Sequence, residues 1–242
     1  MNTVSLAGFD EPVSSLLHLG AALIALLIGA RAVWNRRSDP ARAIAFAVFV
    51  CSAALTLSFS GVYHLLDKST VAADVLARLD HSSIFILIAG TATPAHYALL
   101  RGAARRISIA LMWLVALVGV VLICTVLHEA AMPIKAALYI ALGWLSAYPL
   151  IHAWRVRGYR FIRFALFGGL AYTTGAILLA INAPTLIPGV FGPHELWHIA
   201  VIAGLTFHWM FLAELSPAMK TARIRRRISR QSHGRPLIRR AT

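Results

Sequence analysis

Residues 107–127 read ISIALMWLVALVGVVLICTVL, a run of 21 residues without a single acidic or basic side chain. A helix needs about 20 mostly apolar residues to cross the hydrocarbon core of a bilayer, because each residue advances the chain by only about 1.5 Å. An uncharged apolar run of this length is typical of a membrane-spanning helix. The stretch is therefore predicted to be one.

Six further segments of similar length and composition lie on both sides of this run. The seven predicted spans are Ser14–Trp34, Ala43–His64, His81–Leu100, Ile107–Leu127, Pro133–Ala153, Phe161–Ile181 and His194–Glu214. Short links with polar residues, proline or glycine separate them. The predicted fold is all-α, an integral membrane bundle of seven transmembrane helices in one domain, residues 1–219. A basic cytoplasmic tail, residues 220–242, is expected to follow it.

The composition agrees with a membrane protein and excludes an ordinary soluble domain. Of the 242 residues, 59% are hydrophobic and only 13% are charged, and the mean hydropathy is +0.74. Soluble domains carry about 25% charged residues. The net charge of +14 could indicate nucleic-acid binding. However, the basic residues form short clusters between apolar runs, and a spanning bundle offers no element that reads a groove. Membrane lipids are therefore the expected partners, and nucleic acid is not.

The Lys and Arg residues fall almost entirely in alternate links between the spans. One side of the membrane would hold 20 of the 23, including those of the tail, and the other side only Lys68, Arg78 and Lys135. Cytoplasmic segments carry the excess of Lys and Arg. The distribution therefore predicts a cytoplasmic C-terminus and an N-terminus outside, and an even number of spans would mix the two groups.

The string His194-Glu195-Leu196-Trp197-His198 opens the last predicted span. Residues four apart share a helix face, so both imidazoles can reach one metal ion. The string also matches H-E-x-x-H, in which the glutamate is the general base of a metalloprotease. By itself this match is weak, since two histidines at this spacing also occur as an ordinary helix pair.

Other ionisable residues are expected at the same end of the bundle. The end of an even-numbered span and the start of an odd-numbered span lie at the same membrane face. His64 at the end of the second span, Asp80 next to the start of the third, and His194 and His198 at the start of the seventh are therefore all expected in the outer half of the membrane. Catalytic zinc takes three protein ligands and leaves one position for water, and the three histidines supply that number. Ser60, one turn before His64, is expected to hold a hydrogen bond around the metal or a substrate group. Asp80 could orient water or an imidazole.

The remaining histidines of the spans differ in whether they lie near the outer or the inner face of the membrane. His18 and His128 lie at the outer face, so a role at the site stays open for both. His81 points about 100° away from its neighbour on the helix and is expected to pack or to support the site indirectly. His96 and His208 fall toward the inner half, away from the cluster.

Three blocks of sequence occur in order between residues 11 and 214. They are Ser60-Gly61-Val62-Tyr63-His64, then Arg78-Leu79-Asp80-His81-Ser82 leading to Ala89-Gly90-Thr91-Ala92-Thr93-Pro94, then His194-Glu195-Leu196-Trp197-His198, and the stretch Leu138-Tyr139-Ile140-Ala141-Leu142-Gly143-Trp144 also fits. In these blocks and their order the sequence resembles the hemolysin III proteins, bacterial relatives of the progestin and adipoQ receptors. The ordered blocks are far more specific than H-E-x-x-H alone.

The resemblance implies a seven-helix bundle with a zinc ion held by the histidines that match His64, His194 and His198. The family's serine and aspartate match Ser60 and Asp80. Receptor members are similar to ceramide-cleaving amide hydrolases, and some bacterial members were named for lysis of red cells. The bacterial kinship implies the inner (plasma) membrane. Those receptors have the N-terminus inside, but the steep charge bias of this chain favours the opposite orientation.

Three functions fit these residues. The favoured one is a zinc-dependent membrane hydrolase of a lipid amide or related bond, in which Asp80 or Glu195 moves protons and Ser60 helps position water or substrate. The second is a lytic or channel-like protein with a structural zinc. The third, an intramembrane zinc protease, leaves His64 and Ser60 unexplained. A hydrolase requires a lipid-sized cavity at the metal, whereas a channel requires a continuous polar path.

Overall fold

The computed structural model describes residues 11–187 and 191–215, and this part of the chain forms eight α-helices joined by short links. The helices are α1 (Pro12–Trp34), α2 (Pro40–Tyr63), α3 (Val71–Leu99), α4 (Gly102–Thr125), α5 (Met132–Ser146), α6 (Tyr148–Arg157), α7 (Tyr159–Ala180) and α8 (Pro193–Glu214). Among these residues the only β pairing is an isolated bridge between Ile187 and Phe191. The predicted basic tail, 220–242, lies outside the described residues.

Five of these helices are long and apolar enough to cross a bilayer. They are α1, α2, α4, α7 and α8, and the bent pair of α5 and α6 gives a sixth if it counts as one span. The prediction of an all-α membrane protein with several spans is therefore confirmed. The count of seven spans is not confirmed by length and hydropathy alone.

The predicted fifth span, Pro133–Ala153, is wrong as a single continuous helix. The chain bends by 41° between α5 and α6. Pro149 in the first turn of α6 has no backbone N–H and cannot continue the hydrogen-bond ladder of α5. The N–H of Leu150 bonds to the carbonyl of Ala147 at 2.9 Å, and the released Ser146 carbonyl accepts a hydrogen bond from His96 Nε2 at 2.7 Å.

Helix α3 begins ten residues before the predicted start and is less apolar than its neighbours. Its first turns carry Asp74 and Arg78, whose side chains pair at 2.9 Å at the exposed end of the helix. Helices α2 and α4 flank α3, and α5, α6 and α8 also contact it. Because protein surrounds α3 on several sides, polar residues such as Asp80 and His96 face neighbouring helices rather than lipid.

Helices that follow one another along the chain run antiparallel, with the bent pair of α5 and α6 taken as one, and this alternation sorts the basic residues by end. Arg163 near the start of α7 lies 3.4 Å from Glu214 at the end of α8, and Arg78 of α3 donates to the Cys124 carbonyl at the end of α4. Of the Lys and Arg residues in the described ranges, eleven lie at the end that holds the α1–α2 link. Only Lys68, Arg78 and Lys135 lie at the opposite end.

Glycines allow several helices to approach closely, as interfaces in lipid require. A Cβ on Gly90 of α3 would overlap the side chain of Ser52 on α2, and one on Gly168 of α7 would meet the ring of His208 on α8. By contrast, a Cβ on Gly169 would have no neighbour within 4 Å. Gly90 and Gly168 therefore set interhelical distances, whereas Gly169 does not.

Gly90→Ala is expected to destabilise the protein by about 1–3 kcal/mol, because the added methyl group overpacks the α2–α3 contact. Thermal unfolding in detergent measures the effect. Gly169→Ala is the matched control and should leave the melting temperature unchanged or higher. Ser52→Gly should restore part of the loss in the double variant. Equal melting temperatures for Gly90→Ala and Gly169→Ala would show that the α2–α3 contact is not this tight.

Candidate metal centre

Three histidines meet where α2 ends and α8 begins. His64 is the residue that caps the C-terminus of α2, while His194 and His198 occupy the first two turns of α8. One ring nitrogen from each lies within 4.8 Å of one from each of the other two. His64 and His198 are each only 1% exposed. The structure thus brings together the three residues that the sequence predicts as metal ligands.

The spacing within this cluster suits a divalent cation. His64 Nε2 lies 3.2 Å from His194 Nε2, and the ring centroids are 4.6–4.7 Å apart. Ligands at about 2.0–2.1 Å in a tetrahedral zinc site are about 3.3 Å from one another. Two imidazole nitrogens at such a distance can share one proton or one cation.

Two ring nitrogens of the cluster make no hydrogen bond in the described part of the chain: His64 Nδ1 has the Glu11 carboxylate beside it, whereas His198 Nε2 has no partner. His198 Nε2 is buried without a hydrogen bond, while the other ring nitrogen, Nδ1, lies 2.9 Å from His18 Nε2. Leaving a buried polar atom unpaired costs about 1–3 kcal/mol. A metal ion would satisfy this nitrogen. Neutral imidazoles suit zinc, and also nickel, copper and iron.

Ser60 and Asp80 lie beside the cluster, as the sequence predicts. Both side chains are buried, and Ser60 donates a hydrogen bond to the Asp80 carboxylate. Asp80 also lines a small pocket of about 20 Å³ together with His81, His194 and His198. A space of this size holds about one water molecule. The carboxylate is therefore placed to contact water next to the histidines.

Glu195, the glutamate of H-E-x-x-H, has both oxygens engaged elsewhere. Oε2 accepts a hydrogen bond from the backbone N–H of Gly192 at 2.7 Å, and Oε1 accepts one from Ser14 Oγ at 3.3 Å. A carboxylate at this position caps the helix N-terminus and complements its dipole. These contacts account for Glu195 structurally, and its role in proton transfer stays a prediction.

Glu11, the residue that caps the N-terminus of α1, and His18 within α1 also contact the site. From the sequence, a role for His18 stayed open, and one for Glu11 was not predicted. Glu11 Oε2 lies 2.5 Å from His64 Nδ1 and 3.7 Å from His194 Nε2. Burial opposes ionisation of Glu11, but the contact with His64 outweighs it and lowers the carboxyl pKa to about 2. His18, 2% exposed, packs edge to face on His198 with ring centroids 4.0 Å apart. The i, i+7 spacing of Glu11 and His18 would have indicated a shared helix face.

The other histidines lie outside this cluster. The His128 ring lies 3.5 Å from the Glu129 carboxylate, and its backbone carbonyl accepts a hydrogen bond from Lys135 at 2.7 Å. His96 donates a hydrogen bond to the Ser146 carbonyl at the α5–α6 break and accepts one from Ser108 at 2.7 Å. His208 stacks on Tyr172 with centroids 5.5 Å apart. These positions agree with the predicted separation of His96 and His208 from the site.

A larger cavity of about 550 Å³ extends from the site into the bundle. At one end it is lined by His18, Ser60 and Asp80, and at the other by residues around the α5–α6 break such as Tyr148 and Trp154. Most of its lining consists of Leu, Ile, Ala and aromatic side chains. The residues shared with the small pocket are Asp80, Ile84, Tyr139, Ala176 and Trp197.

Comparison with known proteins agrees with the predicted resemblance. A family model described as Haemolysin-III related matches residues 8–209. Hemolysin-3 of Bacillus cereus is 31% identical over 224 residues, which are 88% of this chain and 94% of the relative. Heptahelical transmembrane protein ADIPOR2 of Oryza sativa subsp. japonica is 28% identical over 180 residues, 67% of this chain and 78% of the relative.

A more distant relative comes from an animal. Adiponectin receptor protein of Drosophila melanogaster is 26% identical over 197 residues, 72% of this chain but only 43% of that receptor. The family model covers most of the present sequence, including all three histidines and Asp80. The chain therefore belongs to the Haemolysin-III related family.

Proposed function

We propose that this protein is a zinc-dependent membrane hydrolase that cleaves an amide or related bond of a lipid. One observation carries the proposal: Asp80 lines both the small pocket at the histidines and the large apolar cavity. A lipid in the cavity and a water in the small pocket would therefore meet at this carboxylate. Catalysis of hydrolysis requires such proximity of the two reactants.

The substrate class follows from the shape and chemistry of the cavity. Its volume lies in the range of small-molecule sites, and its apolar lining favours hydrocarbon. Near the α5–α6 break the lining includes Trp144, Tyr148, Trp154 and Tyr159, which are each about half exposed. A lipid would thus enter from the membrane between helices and would not have to cross the aqueous phase.

The metal would be held by His64, His194 and His198. When bound, zinc supplies Lewis acidity, which polarises a carbonyl group and increases the acidity of water. The burial of His64 and His198 limits the access of bulk water to this point and strengthens electrostatic interactions there, while His194 is partly exposed.

Asp80 would carry the proton transfers of the reaction, and Ser60 would orient it. A carboxylate oxygen of Asp80 accepts a proton from the water in the small pocket, and the same group then donates it to the nitrogen of the departing amine. The net change is amide plus water to carboxylic acid plus amine. The hydroxyl of Ser60 orients the Asp80 carboxylate through its hydrogen bond. Glu195 is assigned to the start of α8, where both of its oxygens have partners.

A lytic or channel-like role is the alternative, suggested by the names of relatives from Bacillus cereus and Bacillus subtilis, Hemolysin-3 and Hemolysin-3 homolog. A water-filled pore needs a polar lining through the bundle. The large cavity, as far as the described residues define it, is instead mainly apolar. This lining supports the hydrolase over the channel.

We further propose seven spans, with α3 counted as one span and the bent pair of α5 and α6 as another. The position of α3 among other helices accounts for its lower hydropathy, and the rice relative is named heptahelical. With seven spans, the end of the bundle that carries eleven basic residues faces the cytoplasm. The metal centre then lies toward the outer face of the bacterial inner membrane.

Purified protein is expected to contain about one zinc per chain by elemental analysis, because three converging imidazoles form the ligand set of a catalytic zinc site. His64→Ala and His198→Ala should each remove it. His128→Ala, at the same end of the bundle but outside the cluster, is the matched control and should keep it. Full zinc content in a His194→Ala, His198→Ala double variant would disprove the assignment.

Asp80→Asn should retain zinc yet lower turnover of a ceramide-like lipid amide by about 10²–10⁴-fold, because asparagine cannot take up the proton. Asp74→Asn on the same helix is the control, since Asp74 lies at the exposed end and pairs with Arg78. Release of amine from purified protein, with and without chelator, measures the effect. If wild type cleaves nothing in a chelator-sensitive manner across a broad lipid panel, the hydrolase is excluded and dye leakage from liposomes tests the lytic alternative.

A reporter that works only in the cytoplasm should be active when fused after Thr242, because the basic links keep that end inside. A reporter that works only after export should be inactive at the same position. A fusion within the link that carries Lys68 should give the reverse pattern. A C-terminal reporter that works only when exported would overturn the orientation and move the metal centre to the inner face.

A further inference from the structure

We propose that Glu11, which caps the N-terminus of α1, and His18 of α1 are positioning residues of the metal centre, which fix the tautomers of His64 and His198 so that Nε2 of each faces the ion. This inference rests on the proposed zinc site. It makes α1 a part of the centre, although none of its residues belongs to the ligand set.

The N-terminus of α1 is fastened to the ends of both helices that carry the histidines. The backbone N–H of Glu11 donates to the His64 carbonyl at 3.2 Å, and Ser15 Oγ donates to the Gly61 carbonyl at 2.7 Å. On the other side, Ser14 Oγ donates to Glu195 of α8. Ser14 and Ser15 are at most 1% exposed, so these bonds are shielded from solvent. The position of Glu11 and His18 is therefore well defined.

Glu11 determines where the proton of His64 lies. Glu11 Oε2 lies 2.5 Å from His64 Nδ1, and although the angles of this contact are not those of a hydrogen bond, a carboxylate oxygen so close favours a proton rather than a lone pair on Nδ1. The proton of a neutral His64 ring is therefore on Nδ1. Nε2 then carries the free lone pair and points toward His194 Nε2, 3.2 Å away. This is the state in which an imidazole binds a metal.

His18 plays the corresponding part for His198. His18 Nε2 lies 2.9 Å from His198 Nδ1, so one of these nitrogens donates to the other. His198 Nε2 has no partner among the described residues whether or not it carries the proton, but only the unprotonated nitrogen can bind a cation. The favoured arrangement has His198 Nδ1–H donating to His18. The lone pair of His198 Nε2 is then free for the ion.

Groups that hold the outer nitrogen of a metal-binding histidine typically change metal affinity by about 10–100-fold when removed. Glu11→Ala and His18→Ala should each weaken zinc binding within this range. Glu11→Gln and His18→Gln should bind more tightly than the alanine variants, because an amide oxygen can still accept the Nδ1–H. Competition with a chromophoric chelator measures the affinities of detergent-purified, metal-stripped protein.

Glu129→Ala and His128→Ala provide matched controls, since both residues lie at the same end of the bundle outside the cluster, and both variants should bind zinc like wild type. Cobalt in place of zinc gives a second measurement, the visible spectrum of the bound ion, which reports on the metal ligands and not on overall stability. At saturating cobalt the visible spectrum and the one-to-one stoichiometry should be retained in Glu11→Ala, because the first coordination shell is intact. The melting temperature of each metal-free variant identifies any loss through unfolding.

Unchanged zinc affinity in folded Glu11→Ala and His18→Ala, with normal binding by wild type, would overturn this inference and leave the proposed zinc site intact. An altered cobalt spectrum in Glu11→Ala would overturn it differently, by making Glu11 a ligand. Absence of zinc binding by wild type would remove the metal site itself, and the positioning role with it.

Discussion

The convergence of three imidazoles at the junction of α2 and α8, two of them buried, constrains the rest of this structure. Polar nitrogens at such depth must be satisfied, and the available partners are one another, α1 and an ion. The end of α2 and the start of α8 must therefore meet, and α1 must cover them. The polar contacts of Glu11, Ser14, Ser15 and His18 all lie along the end of α1 that does so.

The same constraint explains why polarity is distributed so unevenly among the helices. Helix α4 faces lipid over much of its surface and contains hardly any polar side chains beyond its first turns. Helix α3 contacts five other helices and carries Asp80, Ser82, Ser83, Thr93 and His96. Polar and ionisable side chains, which are unfavourable in lipid, thus lie on the helix that contacts the most other helices, where hydrogen bonds can satisfy them.

Much of this arrangement could be predicted from the sequence, because a bilayer restricts the chain to helices that cross it. Alternation of the spans placed His64, Asp80, His194 and His198 in the same half of the bundle, and the family resemblance implied that the three histidines meet. The contact of Glu11 with the histidines could not be predicted, since a glutamate before the first apolar segment looks like part of a solvated terminus. Residues 133–153 were predicted to form one helix, because a hydropathy window averages over Pro149. Hydropathy likewise undervalues α3, since the scale assumes lipid where the structure has protein.

The cavity also has a consequence for which molecules it can admit. A sphere of 550 Å³ is about 10 Å across. Asp80 and His96, which both line the cavity, are separated by 16 residues of α3, or about 24 Å along the helix axis. The space is therefore much longer than it is wide. It would discriminate by molecular shape, accepting a slender chain whose length places one particular bond at Asp80 and rejecting a compact solute of equal volume.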